Sequence, residues 1–347
     1  MIKNQSGVKR ILIIKLRGIG DVVLSTIVIQ NLIEHFPNAK IDFLTEPPSV
    51  PILTNLKELN QVITFERIGT INTIKSIIQL RNYKYDFIFD LYSNPRSALI
   101  TFLAKGKIKV GFDRRGRRYA YNVHVNTHSL KLHTADVNLQ QLKAVGVQLK
   151  HHALIYRIES EEEKLSTDFF NSNQLGDNVV GISPSGGWES KKCDPIKFIE
   201  ICKMIHSKYD CKFLILWGKG DEADASEIYS GIKDYSVIAS QTTVREMVAL
   251  FSKCKIVIAN DSGPMHLSAS IDIPTLAIHG PTSPHEQGPY GKKHTWVRFD
   301  ELDCIQCNLL ECPREHECML QLDSANVLNK FDEMIKKNNI PFKRINK

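Results

Sequence analysis

The sequence lacks the long apolar run that a membrane-spanning helix needs. No stretch reaches the roughly 18 apolar residues that cross a bilayer, although 42% of the 347 residues are hydrophobic. The first ten residues are polar and basic, and only a short apolar segment follows them. This start lacks the apolar core and cleavage site of a secretory signal. We therefore expect a cytoplasmic protein.

Several ligand-binding motifs are also missing. The turn at Gly18 and Gly20 begins like a dinucleotide-binding fingerprint, but Val23 stands where its third glycine is required. No G-x-x-x-x-G-K-[ST] sequence occurs, which excludes a P-loop. No zinc-finger or RNA-recognition signature is present either, so nucleic acid is not an expected partner.

Apolar strands alternate with amphipathic helices, which predicts an α/β fold with parallel sheets. One such series runs from residue 10 to about 145, and a second begins near residue 178. The polar stretch 171–177 separates them, and the length suffices for two domains. We expect domains at 1–172 and 173–325, followed by a helical segment at 326–347.

The positive charge is concentrated in the first half of the chain. Residues 1–170 contain 24 Lys and Arg against 15 Asp and Glu, a net of +9, whereas the whole chain carries +7. The density is highest at Arg114, Arg115, Arg117 and Arg118. Such a patch suits a phosphate-bearing or otherwise anionic partner. A solvated basic loop is the alternative.

Polar turns follow several of the predicted strands. Asp21 comes after the first strand, at the edge where open α/β sheets bind ligands, and Gly18 and Gly20 allow close approach of a substrate. As an alternative, Asp21 is simply a helix N-cap. Glu222 follows another predicted strand, a position typical of an acid that binds a ribose. The simpler interpretation of Glu222 is an acidic residue on the surface.

Two turns of the second half suit an anion. In the first, Ser262 and Gly263 begin a helix whose N–H groups face outward, and Asp261 and His266 add groups that bind hydroxyls or phosphate oxygens. The alternative is an ordinary capped βα turn. The second, residues 184–195, combines serines, glycines and lysines before a helix, which is typical of a phosphate cradle or of a flexible loop.

In order and spacing, these motifs resemble glycosyltransferase family nine, the ADP-heptose:lipopolysaccharide heptosyltransferases. The resemblance spans about Arg10 to Val297 and rests on residues 20–25, 217–222, 260–267, 280–284 and 288–291. It implies the GT-B fold, in which two Rossmann-like domains with parallel sheets face each other across a cleft. The acceptor binds the first domain and the nucleotide-sugar the second, and the C-terminal helix packs back across the domains.

The resemblance also implies an inverting, metal-independent transfer of a heptose or related sugar from an ADP-sugar to a lipopolysaccharide inner-core or similar anionic glycan. Asp21 would be the general base. The donor would bind Ser183, Ser185, Lys192, Glu222, Asp261, Ser262, Gly263 and His266, and the acceptor Gly18, Gly20, Arg114, Arg115 and Arg117. Lys191 is an alternative to Lys192 at the phosphate. No catalytic cofactor is implied, and contact with the cytoplasmic face of the inner membrane fits the basic first half.

Two other functions are compatible with these residues. One is a GT-B transferase or epimerase that uses UDP- or GDP-sugars. The other is a non-enzymatic protein that binds anionic glycolipid.

Four of the eight cysteines are clustered, at Cys304, Cys307, Cys312 and Cys318. In a cytosolic protein this spacing favours a metal over disulfides. We expect a structural zinc site with four thiolate ligands, ahead of an iron–sulfur cluster. Reduced cysteines in a loop are the remaining alternative.

Overall fold

The computed structural model describes residues 7–66, 70–127 and 129–345 and has an α/β architecture. The strands are β1 (Arg10–Ile14), β2 (Lys40–Thr45), β3 (Gln61–Thr64), β4 (Tyr85–Asp90), β5 (Gly106–Phe112), β6 (Val123–Val125), β7 (Val179–Ser183), β8 (Lys212–Ile215), β9 (Ser236–Ile238), β10 (Ile256–Asn260), β11 (Thr275–Ile278) and β12 (Thr295–Val297). The helices are α1 (Ile19–Ser25), α2 (Ile27–His35), α3 (Val50–Leu53), α4 (Thr70–Tyr83), α5 (Pro95–Leu103), α6 (Thr134–Ala144), α7 (Ser160–Ser172), α8 (Pro195–Lys208), α9 (Glu222–Ile232), α10 (Val244–Phe251), α11 (Gly263–Ser270), α12 (Pro284–Gln287), α13 (Glu317–Leu320) and α14 (Ser324–Asn338).

The strands form two six-stranded sheets with the same connectivity. Their orders are β3-β2-β1-β4-β5-β6 and β12-β11-β10-β7-β8-β9, and the paired strands are parallel. In each sheet the chain runs outward in one direction, returns to the middle and runs outward in the other. This is the doubly wound order of Rossmann-like domains, which confirms the predicted fold class.

The sheets are covered on both faces, as parallel sheets are. Successive side chains of a strand point to opposite faces, and β10 shows this clearly. Ile256 and Ile258 belong to one buried apolar cluster, whereas Val257 and Ala259 belong to another. Within the described ranges, no helix combines the length and the apolarity needed to cross a bilayer.

The first helical region differs from its prediction. The sequence predicts one helix over residues 22–36, but the structure has α1 and α2, which meet at Thr26. The Thr26 hydroxyl donates to Val23 O at 2.7 Å and accepts from the N–H of Ile155 at 2.9 Å. A threonine hydroxyl that bonds to the preceding turn competes with helical hydrogen bonding. The break therefore depends on a contact 129 residues away in the chain.

The chain divides into two compact units between Arg157 and Ile158, whereas the sequence suggests a boundary at residues 172–173. The intervening helix, α7, packs against α10. An ion pair reinforces this contact, with Arg245 Nη2 2.7 Å from Glu162 Oε2. At the end of the chain, α14 packs on α8 and β12, and Tyr209 donates from its hydroxyl to Asp332 Oδ1 at 2.6 Å.

Candidate functional site

Each sheet has one point where the strand order reverses, between β1 and β4 in the first sheet and between β7 and β10 in the second. The loops after these strands diverge, and open α/β sheets bind their ligands in the resulting crevice. The candidate residues around Asp21 follow β1, and those at 183–192 and 260–263 follow β7 and β10. The motifs of each unit therefore collect at its own reversal point.

Asp21 lies inside the first turn of α1 and is not its N-cap, a position that Gly18 occupies. Gly18 has φ +84°, and a Cβ placed on it would lie 2.7 Å from Asp21 Oδ2. Glycine is therefore required at this position for two reasons: the turn needs a positive φ, and a side chain would collide with the Asp21 carboxylate. Gly20 is buried in the helix, whereas the Asp21 side chain is 42% exposed. The carboxylate is thus open to a substrate.

Lys15 is a site residue that the sequence reasoning missed. Its Nζ lies 3.1 Å from Asp21 Oδ1, although the lysine side chain is only 7% exposed. The same Nζ is 3.4 Å from Leu91 O and 5.1 Å from the centre of the Tyr92 ring, both in the loop after β4. Lys15 thus joins the two loops of the reversal point and holds a positive charge beside Asp21. The sequence does contain a signal for this role, because Lys15 directly follows the apolar run of β1.

The turn after β4 is built around the buried Asp90. Its Oδ1 accepts from the N–H groups of Tyr92 and Ser93 at 3.1 and 2.8 Å, and its Oδ2 accepts from the Tyr121 hydroxyl at 2.7 Å. Burial raises the pKa of Asp90, against the effect of these hydrogen bonds. Ser93 has φ +48°, a conformation uncommon outside glycine and asparagine. The buried aspartate fixes this turn.

A cavity of about 670 Å³ opens beside Gly18. The buried carboxylate of Glu46 lies on its wall, with Arg17 Nε at 3.9 Å and Arg96 Nη1 at 3.6 Å. Both guanidinium groups are well exposed, whereas Glu46 is not. Arginine binds carboxylate and phosphate groups with paired hydrogen bonds. The lining also includes a second carboxylate, Glu66, so Arg17 is the cation that this cavity offers to an anionic group.

The predicted acceptor arginines lie in the loop after β5. Arg117 Nη1 donates to Ser93 O at 3.3 Å, which ties it to the turn after β4. Arg115 is exposed, and Arg114 is partly exposed. Of the three, Arg117 is the one that the structure connects to the reversal point.

In the second unit, the buried Asp261 is the centre of a polar network. Lys191 Nζ lies 2.7 Å and His279 Nδ1 3.6 Å from Asp261 Oδ2, and the Thr282 hydroxyl donates to the same oxygen. Burial by itself raises the pKa of Asp261. The interactions with His279 and Lys191 and the hydrogen bond from Thr282 outweigh it, so the pKa lies below its usual range. Asp261 is therefore a carboxylate at neutral pH.

The two adjacent lysines have different partners. Lys191 is buried against Asp261, and its Nζ also lies 4.4 Å from the centre of the Trp188 ring. Lys192 Nζ lies 2.5 Å from Asp221 Oδ1 and 3.4 Å from Asp224 Oδ2, at the start of α9. Burial lowers the pKa of Lys192, but the two carboxylates raise it above its usual value. Lys192 is the more accessible of the pair.

Asn260 joins the loops after β7 and β10, a role that sequence reasoning missed. Its Nδ2 donates to Pro184 O at 2.7 Å, and its Oδ1 accepts from Cys193 N–H at 3.3 Å. These bonds fix the loop that carries both lysines relative to the Asp261 turn.

The predicted serines differ in their surroundings. Ser183 is fully buried, and its hydroxyl has no hydrogen-bond partner among the residues that the structure describes. Ser185 Oγ accepts from Gly218 N–H at 3.0 Å. Ser262 occupies the N-cap position of α11, but its hydroxyl donates to Asn260 O at 3.3 Å instead of capping the helix.

The remaining donor candidates lie at helix starts. Gly263 is the first residue of α11 and is partly exposed, and His266 in the same helix is largely buried. Glu222 is the first residue of α9 and is exposed.

The structure does not support the expected zinc site. Cys304, Cys307, Cys312 and Cys318 line one small cavity. Nevertheless, in residues 7–66, 70–127 and 129–345, no group of three or more His, Cys, Asp or Glu side chains is placed to hold a metal ion. Cys312 Sγ accepts from two backbone N–H groups, at 3.3 and 3.4 Å. Burial raises the pKa of Cys318 to about 11, which favours its neutral thiol.

The segment 303–318, which we call the cysteine segment, instead contacts the loops after β7 and β11. Ser190 donates from its N–H to Leu310 O at 3.1 Å and from its hydroxyl to Leu309 O at 2.6 Å. Asn308 N–H donates to Pro281 O at 2.9 Å. Ser190 and Pro281 directly precede Lys191 and Thr282, the partners of Asp261. The segment thus holds in place two loops that build the Asp261 network.

The chain is similar to known proteins in sequence and in fold. The sequence model of Glycosyltransferase family 9 (heptosyltransferase) matches residues 74–317, more than half of the chain. Lipooligosaccharide heptosyltransferase 2 of Campylobacter jejuni is 25% identical over 338 residues, which cover 93% of this chain and 97% of that protein.

Solved structures show the same fold. A family 9 glycosyl transferase from Veillonella parvula has a TM-score of 0.82 at 18% identity, with coverage of 96% of this chain and 100% of that chain. The Escherichia coli heptosyltransferase WaaC, solved with ADP, has a TM-score of 0.72 at 19% identity, with coverage of 94% and 99%. This likeness supports the GT-B fold, and the family match identifies the chain as a glycosyltransferase that belongs to family 9, the heptosyltransferase family.

Proposed function

We propose that the protein transfers a heptose, or a closely related sugar, from an ADP-sugar to a hydroxyl group of a lipopolysaccharide inner-core or similar surface glycan. The reaction inverts the anomeric centre and uses no catalytic metal. The observation that carries this proposal is the pair of charged centres at the strand-order reversals, Lys15–Asp21 and Lys191–Asp261. The names of the relatives and the ADP bound to WaaC support the donor class.

In the proposed reaction, Asp21 acts as the general base. It takes the proton from the acceptor hydroxyl while the oxygen attacks the anomeric carbon, and a base of this kind typically contributes about 10² to 10⁴ in rate. Lys15 Nζ, 3.1 Å from Asp21 Oδ1, holds the carboxylate in position. One base and one displacement on the face opposite the leaving group give inversion.

The leaving ADP requires stabilisation of its diphosphate charge. Lys192 is the cation that we assign to this role, because its side chain is 29% exposed whereas that of Lys191 is 10% exposed. The start of α11, at Ser262 and Gly263, offers N–H groups and the positive end of a helix dipole. Such fixed donors act where charge develops in the transition state.

Further donor contacts follow from the same loops. Asp261 keeps Lys191 in place and, with His266, faces the sugar and diphosphate, while Glu222 binds the ribose. The hydroxyls of Ser183 and Ser185 supply additional hydrogen bonds.

The acceptor side uses the first unit. Gly18, Gly20 and the arginines Arg114, Arg115 and Arg117 are proposed to contact the glycan, and the cavity beside Gly18 would take one of its sugars. We further propose that the protein works in the cytoplasm, in peripheral contact with the inner membrane that carries the acceptor.

The donor is tested by thermal shift and calorimetry with ADP, UDP and GDP, followed by product analysis with ADP-heptose. We expect ADP alone to stabilise the protein and heptose to appear on a lipopolysaccharide-core acceptor. Stabilisation by UDP or GDP instead would favour a different nucleotide-sugar enzyme. No stabilisation by any nucleotide would favour the non-enzymatic glycolipid-binding function.

A further inference from the structure

One face of α5 exposes large apolar side chains. Leu99 and Phe102 lie three residues apart on this face, and each is about half exposed. The Phe102 ring contacts the ring of Tyr119 edge-on at 5.4 Å between centres, and Tyr119 is also about half exposed. Clustered apolar side chains on the surface of a folded unit indicate an interaction site.

Cations surround this apolar patch. An open groove of about 440 Å³ begins at Phe102, and five basic residues line it: Arg81, Lys84, Lys105, Lys107 and Lys109. Burial, together with the charge of Arg81, lowers the pKa of Lys109, which indicates that these cations are close enough to repel each other. The groove therefore concentrates positive charge, although Lys107 is paired with Asp86.

The charge around the patch accounts for the basic character of the whole protein. Residues 81–122 contain ten Lys and Arg and three Asp, a net charge of +7, which equals that of the full chain. Of the three aspartates, Asp90 is fully buried, and Asp86 and Asp113 are paired with Lys107 and Arg118. Five of the ten cations of this segment line the groove that begins at Phe102.

Helix capping explains only part of this cluster. Arg81 and Lys109 donate to Leu103 O and Phe102 O, at 2.8 and 2.9 Å, and so satisfy carbonyl groups at the end of α5. Lys84 and Lys105 are exposed beside them, and capping gives no reason to expose Leu99 or Phe102. Nucleic acid would use the cations and the rings, but it offers no apolar interior to an aliphatic side chain such as Leu99.

We propose that the exposed face of α5, with Tyr119 and the surrounding cations, is a docking surface for an anionic lipid bilayer. Aromatic and aliphatic side chains would enter the boundary between headgroups and acyl chains, and the cations would pair with the anionic headgroups. We call this surface, defined by Leu99, Phe102, Tyr119 and the five groove cations, the α5 surface.

The α5 surface is near the proposed acceptor site of the same unit. Arg96, which faces Glu46 at the cavity, is on the exposed side of α5 together with Leu99 and Phe102. The nine residues of α5 span roughly 14 Å at about 1.5 Å per residue. A membrane-anchored acceptor would thus be delivered close to the cavity. The inference thus deepens the proposed function, whose membrane contact it assigns to a defined surface, and the delivery step rests in addition on the proposed transfer reaction.

The test is cosedimentation of the full chain with vesicles of phosphatidylcholine alone or with 30% phosphatidylglycerol. We expect binding to the anionic vesicles only, weakened by salt. Lys84→Glu/Lys105→Glu and Leu99→Ala/Phe102→Ala should each reduce the partition coefficient by about tenfold or more. Matched controls in the second unit, Lys203→Glu and the exposed Ile196→Ala, should leave it unchanged. Unchanged melting temperatures would show that the variants are folded.

Three outcomes would overturn the proposal. These are equal binding to neutral vesicles, retention of binding by both α5 variants, and displacement of the protein from anionic vesicles by a single-stranded polynucleotide that binds the same surface more tightly. Because the assay contains neither donor nor acceptor, an error in the proposed transfer reaction would not change its result.

Discussion

Replacing Lys191 by methionine removes the cation next to the buried Asp261 carboxylate. The Lys191 Nζ is 2.7 Å from Asp261 Oδ2, and both side chains are almost inaccessible to water. Loss of one partner from a buried ion pair leaves a buried charge uncompensated, which costs about 3–5 kcal/mol of folding free energy. Lys192→Met removes a more accessible cation, and although its partner Asp221 is buried, Lys192 and Asp224 are both in contact with water. It should therefore cost less folding free energy than Lys191→Met.

For donor binding we expect the reverse order, with the larger effect in Lys192→Met and the smaller one in Lys191→Met. Lys192→Met should weaken ADP binding by about tenfold or more, because a hydrogen bond to a charged group contributes about 1.5–3 kcal/mol. Lys191→Met should mainly lower the free energy of unfolding, measured by urea titration. The double variant Lys191→Met/Asp261→Asn should recover part of the lost stability, since it removes the unpaired carboxylate.

If Lys191→Met unfolds at the same urea concentration as the wild-type protein, the Asp261 network does not have the structure described. If Lys191→Met weakens ADP binding at unchanged stability while Lys192→Met leaves it intact, the assignment of the two lysines is reversed.

Three further predictions concern other contacts. Ser190→Ala should raise KM for the donor about three- to tenfold with little change in kcat, because it removes one hydrogen bond of about 1 kcal/mol to the cysteine segment; Ser190→Thr, which keeps the hydroxyl, should restore KM. Gly18→Ala should abolish most turnover while ADP binding remains, because its Cβ would displace the Asp21 carboxylate; Gly116→Ala is the control, with a similar φ of +75° and nothing within 4 Å. The buried His294 accepts from Thr275 N–H, and burial lowers its pKa to about 4. In the unfolded chain the pKa of this histidine is about 6.5. Below that pH the unfolded chain takes up a proton that the folded chain does not. The free energy of unfolding should therefore fall as pH drops from about 6.5 to about 4, and less so in His294→Gln.

The sequence predicted the parts of this protein that depend on local pattern. Strands such as β1 and β10 are continuous apolar runs, because a parallel strand covered on both faces selects such residues. The turns that follow them were found because polar and glycine residues interrupt the runs. Their positions then followed from the rule that ligands bind at the carboxyl ends of parallel strands.

The sequence could not predict features that depend on distant contacts. The break at Thr26 involves Ile155, and the position of Lys15 beside Asp21 and Leu91 requires that β1 and β4 be neighbours in the sheet. Adjacent residues such as Lys191 and Lys192 are chemically alike, so only the fold can assign them different partners. The four clustered cysteines have a spacing typical of a metal site, but in the structure their segment contacts the loops after β7 and β11.

The most direct test of the proposed mechanism is the rate of sugar transfer by Asp21→Asn. Asparagine keeps the size of the side chain and cannot accept the proton of the acceptor hydroxyl. We predict that transfer from ADP-heptose falls by about 10² to 10⁴ while the affinity for ADP is unchanged. Transfer at the wild-type rate would contradict the assignment of Asp21 as the base and with it the proposed reaction.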